Sequence, residues 1–234
     1  MYRICITIGY MIALAISQSA IAQEVKFRDY HLKIAVSAAL GVKNPTVSDM
    51  KKLISLVAIN KNISDLSGLE HATNLEGLEL DLNKISDISP LSRMTKLRKL
   101  WMCDNLLTDI SPMAGMKSLE RTQLENNALS DISPVSNLTK LKELELDHNN
   151  ITDISPVSNL KNLELLELEN NNINDISPIK GLDKIYLLNI RDNKIKDFSP
   201  AASLQSLRFL WIGANNYAGA VQQIGAQRPG IDVR

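Results

Sequence analysis

Apolar and polar positions along this chain fall into register every 22 residues. Leu75, Leu78 and Leu80 are followed by Asn83 and Ile85; the spacing returns at Leu141, Leu144, Leu146, Asn149 and Ile151, and again at Leu163, Leu166, Leu168, Asn171 and Ile173. Asn holds one slot throughout, at Asn83, Asn105, Asn127, Asn149, Asn171, Asn193 and Asn215, with Lys61 in the degenerate first copy. Asp and Ser hold two more, as at Asp87 and Ser89, and Pro follows at Pro90, Pro112, Pro134, Pro156, Pro178 and Pro200.

Each slot has a physical reading. Two leucines spaced two apart on a strand point to one side, so one sheet face becomes core while the residues around them form an open face. The Asn after each strand suits a turn, because its amide can satisfy main-chain groups the turn leaves unpaired, and neighbouring copies can form a ladder. Ser89-Pro90-Leu91 and its copies read as a helical turn, with Ser expected as the cap and Pro at the first position, where its missing N–H costs nothing. A unit this short cannot bury its own apolar side, so the copies must stack and the ends need caps. Leu32, Ala35, Val36, Ala39 and Leu40 fall at helical spacing before Gly41, and Thr46-x-x-Asp49 resembles a capping box. At the far end Val221 and Ile224 precede Pro229, and Ile231 with Val233 predicts a last, irregular edge strand.

Residues 1–22 have the form of an export signal, with Arg3 in a short positive start, an apolar run from Ile4 to Ile16, and Ala20-Ile21-Ala22 as a small-residue cleavage site. The apolar run is well short of the roughly 20 residues that span a bilayer, which favours cleavage before Gln23 over an uncleaved anchor. The expected organisation is therefore a signal over 1–22, a helical cap over 23–52, repeats over 53–217 and a C-terminal cap over 218–234. Export makes the cysteines informative. Cys5 leaves with the signal, so Cys103 has no intramolecular partner and is either a packed or half-exposed strand residue or a thiol free to pair between chains.

The run Asn83-Lys84-Ile85-Ser86-Asp87-Ile88-Ser89-Pro90-Leu91 resembles the internalin-type bacterial leucine-rich repeats, and the similarity extends from residue 27 to about 217. Phe27-x-Asp29-x-x-Leu32, Thr46-x-x-Asp49 and Ile63-Ser64-Asp65-Leu66-x-Gly68-Leu69 resemble that family's N-terminal cap. The resemblance implies an α/β class solenoid of about eight parallel strands inside a curve, 3₁₀ turns outside it, and protein ligands on the concave side. The chain shows no immunoglobulin-like segment, no Leu-Pro-x-Thr-Gly sorting signal and no basic wall-binding repeats, so a host-receptor role is not carried over.

The residues flanking the inward leucines should carry function. Among them are Glu79 and Asp81, Trp101, Glu125, Glu143, Glu145 and Asp147, Leu165, Glu167 and Glu169, Leu187, Phe209 and Trp211. Eight of the open-face residues are acidic, whereas the chain has 26 basic and 26 acidic residues overall, and loss of Arg3 would leave 25 against 26. Strands lie ~4.8 Å apart, so Glu145, Asp147, Glu167 and Glu169 should form a block of like charge. The first reading is a partner protein with a basic patch, anchored by Trp101 on one side and by Leu165, Leu187, Phe209 and Trp211 on the other. Calcium-assisted adhesion and neutral-sugar stacking on Trp101 and Trp211 are the alternatives, and the acids could serve solubility alone. Phe209 and Trp211 could also lie beneath residues 218–234.

Nothing points to an enzyme or a cofactor. His31, His71 and His148 lie far apart with no metal-ligand spacing, and an open sheet offers no enclosed pocket. His148 reads as a turn residue. The near-neutral balance favours neither nucleic acid nor anionic membrane, and the mature chain is expected to be a monomer without stable membrane insertion.

Overall fold

The computed structural model describes residues 23–215, 217–225 and 230–234. The expected signal over 1–22 lies outside the described residues. Among the described residues nine strands form one parallel sheet in chain order: β1 (Ser55–Val57), β2 (Gly77–Glu79), β3 (Lys99–Trp101), β4 (Arg121–Gln123), β5 (Glu143–Glu145), β6 (Leu165–Glu167), β7 (Leu187–Asn189), β8 (Phe209–Trp211) and β9 (Asp232–Val233). From β1 to β8 every residue pairs with the one 22 positions on, as Leu144 does with Leu166. The ninth strand is the C-terminal edge segment, which pairs Phe209 with Asp232 and so leaves the 22-residue register.

Alternation drives the layering. Leu78, Leu80, Leu100, Leu144, Leu146, Leu166 and Leu168 are wholly buried, together with the Ile, Val, Met and Leu of the opposite turns, in one continuous apolar core. Polar Thr122 occupies a leucine slot in β4 and is buried without loss because its Oγ1 donates to the Leu100 carbonyl at 3.1 Å.

Asn149 shows how each strand is turned. Its Oδ1 accepts from the Leu129 N–H of the preceding copy at 2.9 Å, and its Nδ2 faces the carbonyls of Leu124, Leu146 and Asp147 at 3.0 to 3.1 Å. The asparagine column thus binds the main chain of adjacent copies, not its own neighbours' side chains. From Asn83 to Asn193 the residue before each of these asparagines is left-handed: Leu82, Asp104, Asn126, His148, Asn170 and Asp192 have φ between 50° and 58°. His148 is the turn residue the sequence predicts, with Nδ1 2.7 Å from Asn170 Nδ2.

Asn, Asp and His tolerate this conformation and Leu does not. Leu82 is 49% exposed, so its side chain gains little by being there. Leu82→Asn is therefore expected to raise stability by about 1 kcal/mol, a rise of roughly 2–4 °C in Tm for a domain of this size, measured by thermal unfolding.

The opposite side carries 3₁₀ turns such as Ser89–Leu91, Ser111–Gly115, Ser133–Asn137 and Ser155–Asn159. The capping expected of Ser is corrected here. Ser89 is the first residue of its turn with Pro90 second, Ile88 stands at the N-cap without a side-chain bond, and the residue before it, Asp87, satisfies the turn: its Oδ1 accepts from Ser89 N–H at 2.7 Å and its Oδ2 from the Ser89 hydroxyl at 3.0 Å. The same bonds recur at Asp109, Asp131, Asp153, Asp175 and Asp197.

At the N-terminal end α1 (Tyr30–Leu40) buries Leu32 and Val36 and stops at left-handed Gly41. Asp29 caps it through Oδ1 while Oδ2 accepts from Ser64 N–H at 2.8 Å, which fastens the helix to the first repeat. Thr46 and Asp49 form the predicted reciprocal box at α2 (Val47–Met50). At the other end lie α3 (Ser199–Ala202) and α4 (Tyr217–Gly225), the latter burying Ala220 and Ile224.

Candidate functional site

Three rows of side chains run across the open sheet face. The first residue of each strand gives Lys99, Arg121, Glu143, Leu165, Leu187 and Phe209, and the third gives Glu79, Trp101, Gln123, Glu145, Glu167, Asn189 and Trp211. Two residues further on, where the main-chain ladder continues through Leu124 N–H to Glu145 O and Asn126 N–H to Asp147 O, stand Asp81, Cys103, Glu125, Asp147, Glu169 and Arg191. Neighbours within a row are one strand apart, so the thirteen candidates share one face. They do not share one environment.

The third row is drawn inward by the turn that follows it. Asp147 is only 9% exposed and Asn189 in the second row 1%, against the exposure the alternation predicts for both. The Asp147 carboxylate accepts from the Glu169 N–H at 2.5 Å, and Asp81 likewise holds the Cys103 N–H at 2.8 Å. These acids thus serve the main chain of the next copy. Asn189 donates to Glu169 at 2.9 Å and lies 3.4 Å from Glu167. Gln123 donates to Glu145 at 2.9 Å.

Cys103 is the packed strand residue of the sequence alternatives: it is buried, and its thiol donates to Glu125 at 2.6 Å. Burial, reinforced by the Glu125 carboxylate, pushes its pKa up, which makes it a poor nucleophile.

Burial is also the main reason the central acids hold protons. The carboxyl of Glu145 is pushed up to about 8, by loss of hydration first, then by hydrogen bonding to Glu125 and the charges of Glu125 and Glu167. Asp147 is also pushed up to about 8; its burial, with Glu167 and Glu169 close by, outweighs the Glu169 N–H that favours the anion. Burial raises Glu79 and Asp81 in the same direction. The expectation of four like charges is corrected accordingly. Near neutrality Glu145 and Asp147 are largely protonated, and the face carries less negative charge than its composition suggests.

Around this centre the charges are paired. Arg121 Nε is 3.3 Å from Glu143 and Arg191 is 3.9 Å from Glu169. The two tryptophans have cations against their rings: Lys99 Nζ lies 6.0 Å from the Trp101 centroid and the Arg191 guanidinium 4.9 Å from that of Trp211. Among the described residues the indole N–H of Trp211 is buried without a hydrogen-bond partner. Phe209 stays 39% exposed even with β9 beside it. Among the described residues no group of three or more His, Cys, Asp and Glu is placed to hold a metal ion.

A parallel sheet of 22-residue units with 3₁₀ turns on its reverse side is a leucine-rich repeat solenoid. The family described as leucine-rich repeats (2 copies) matches residues 73–115, 117–159 and 139–181. Among solved structures, internalin C2 of Listeria monocytogenes is similar at 34% identity and a TM-score of 0.80, over 87% of this chain and 95% of that one. Internalin F of the same organism is 28% identical with a TM-score of 0.64, over 92% and 78%. A leucine-rich repeat protein of Leptospira interrogans, at 24% identity, 80% and 50% coverage and a TM-score of 0.71, shares the fold. The search of curated proteins finds no match. The chain belongs to the internalin-type leucine-rich repeat proteins, whose fold is an interaction scaffold.

Proposed function

We propose that this is an exported protein-binding module that captures a partner with a basic patch on its open sheet face, without catalysis. The observation that carries the reading is the composition of that face, in which the partly exposed acidic residues Glu125, Glu143, Glu167 and Glu169 lie beside the partly exposed apolar Leu165, Leu187 and Phe209. A polar face selected for solubility alone has no use for an adjoining apolar strip. Export rests on the pattern of residues 1–22, and no helix among the described residues is long and apolar enough to cross a membrane.

The sugar-binding alternative is weakened by the cations at both indoles, because a pyranose would have to displace Lys99 or Arg191 to stack there. Calcium-assisted adhesion is weakened by the protons on Glu145 and Asp147, since calcium takes ionised carboxylates.

The test is capture from envelope and culture fractions by the protein beside its Glu143→Lys/Glu167→Lys variant, both first shown folded by circular dichroism. Asp147 is left intact because it holds main chain. A partner retained by the first and reduced about ten-fold or more in the second supports the reading. Equal retention places binding off this face and removes it.

A further inference from the structure

We propose that the partner segment seated on this face is a basic amphipathic helix lying across strands β6 to β8, its apolar side on Leu165, Leu187 and Phe209. The inference rests on the protein-binding reading above and names the chemistry of its ligand.

Three consecutive strands present an apolar residue at the same register position, since Leu165 pairs with Leu187 and Leu187 with Phe209. At ~4.8 Å per strand the three span roughly 9.6 Å. Positions i, i+4 and i+7 of an α-helix span about 10.5 Å at 1.5 Å per residue, so a helix offers one apolar side chain to each strand. An extended peptide repeats one side every ~6.6 Å and falls out of step after a single strand.

The strip is one row wide. Beyond Phe209 an open depression of about 830 Å³ is lined by Tyr186, itself exposed, together with charged Glu164, Lys184 and Arg208, so the apolar surface ends there.

Charge fixes the rest of the ligand. Residues two apart on a strand are ~6.6 Å from each other, so Glu167 flanks the apolar strip on one side within the radius of a helix with its side chains, about 5–6 Å, plus a lysine's length, and Glu169 stands about as far again beyond it. Glu143 extends the strip's own row at its β5 end. The opposite end is positive, with Arg191 over Trp211 and Arg208 before Phe209. The helix therefore carries its basic residues along one flank and toward the end over β5, and is neutral where it meets β8.

The probe is a synthetic peptide of about 14 residues, roughly 21 Å as a helix, with Leu at i, i+4, i+7 and i+11 and Lys along one flank. Its control has the same composition with Leu and Lys shuffled around the helix. Fluorescence anisotropy against the protein should show the patterned peptide binding about ten-fold tighter than the shuffled one, with Leu187→Asp abolishing that advantage. Phe209→Asp, at a more exposed position, should act alike and keeps the test decisive if Leu187→Asp lowers stability. Glu143→Lys/Glu167→Lys should weaken both peptides. Equal binding of the two peptides, still lost in the charge-reversed variant, overturns the helix and leaves the acidic recognition face standing. Binding that the charge-reversed variant does not change overturns both, and no binding of either peptide overturns the helix.

Discussion

Replacing Asn149 by Ala is expected to lower stability by about 3 kcal/mol, and Asn150→Ala next to it by no more than ~0.5 kcal/mol. The two residues differ in where their amides go. Asn149 is buried and joins the Leu129 N–H, the Leu124 carbonyl of the preceding copy and the Leu146 and Asp147 carbonyls of its own, whereas Asn150 is exposed. Removing the amide leaves a buried main-chain donor and buried acceptors that no water reaches, at about 1–3 kcal/mol each, part of which relaxation recovers. For a domain of this size the loss corresponds to a fall of roughly 6–12 °C in Tm. Asn149→Asp should fare no better, because a carboxylate can accept from Leu129 but donates nothing to the three carbonyls. Because copies touch only their neighbours, unfolding of Asn149→Ala should also become less cooperative, with the break falling between β4 and β5. Thermal scans followed by circular dichroism read both quantities. A change in Asn149→Ala as small as that in Asn150→Ala would show the asparagine column to be a consequence of the turn, not its cause.

The turn that Asn149 closes also explains what the sequence could and could not convey. Periodicity is a local property, so the strands, the asparagine column, the N-terminal helix with its Gly41 stop and the Thr46–Asp49 box are all legible from spacing. Sequence order alone does not say which of two neighbouring polar residues caps the other. Asp87 and Ser89 fit either assignment, and in the 3₁₀ turn Ser89 is the donor and Asp87, one residue before the N-cap Ile88, is the acceptor. Strand alternation likewise places Glu145 and Asp147 on one face but is blind to the left-handed residue His148, which turns the chain immediately afterwards and draws the Asp147 carboxylate under the Glu169 N–H. Reading all the acids as solvated charges follows from that blindness. The candidate face was legible as a set of positions, whereas its charge depends on burial, which no single repeat contains.

That burial has a consequence for the whole fold that can be measured against pH. In the unfolded chain Glu145 and Asp147 ionise near pH 4; in the folded protein each holds its proton up to about pH 8. Between those values the folded state binds more protons than the unfolded one, so raising pH favours unfolding. The stabilisation is complete below about pH 4, is lost progressively as pH rises, and is gone once both groups ionise above about pH 8. Glu145→Gln with Asp147→Asn removes this dependence while keeping the shapes and the acceptors used by Gln123 and the Glu169 N–H. At pH 9 the double variant should exceed the parent by about 2 kcal/mol, after discounting for solvent access to the Glu145 side. Near pH 4 the two should coincide. A constant difference across this range would mean that the carboxyls titrate normally and that the variant acts through packing. A difference that opens between pH 4 and 8 would show that the face is held together at neutral pH by shared protons, so that any cation seated there must expel them, and its affinity must then rise with pH over the window in which the fold loses stability.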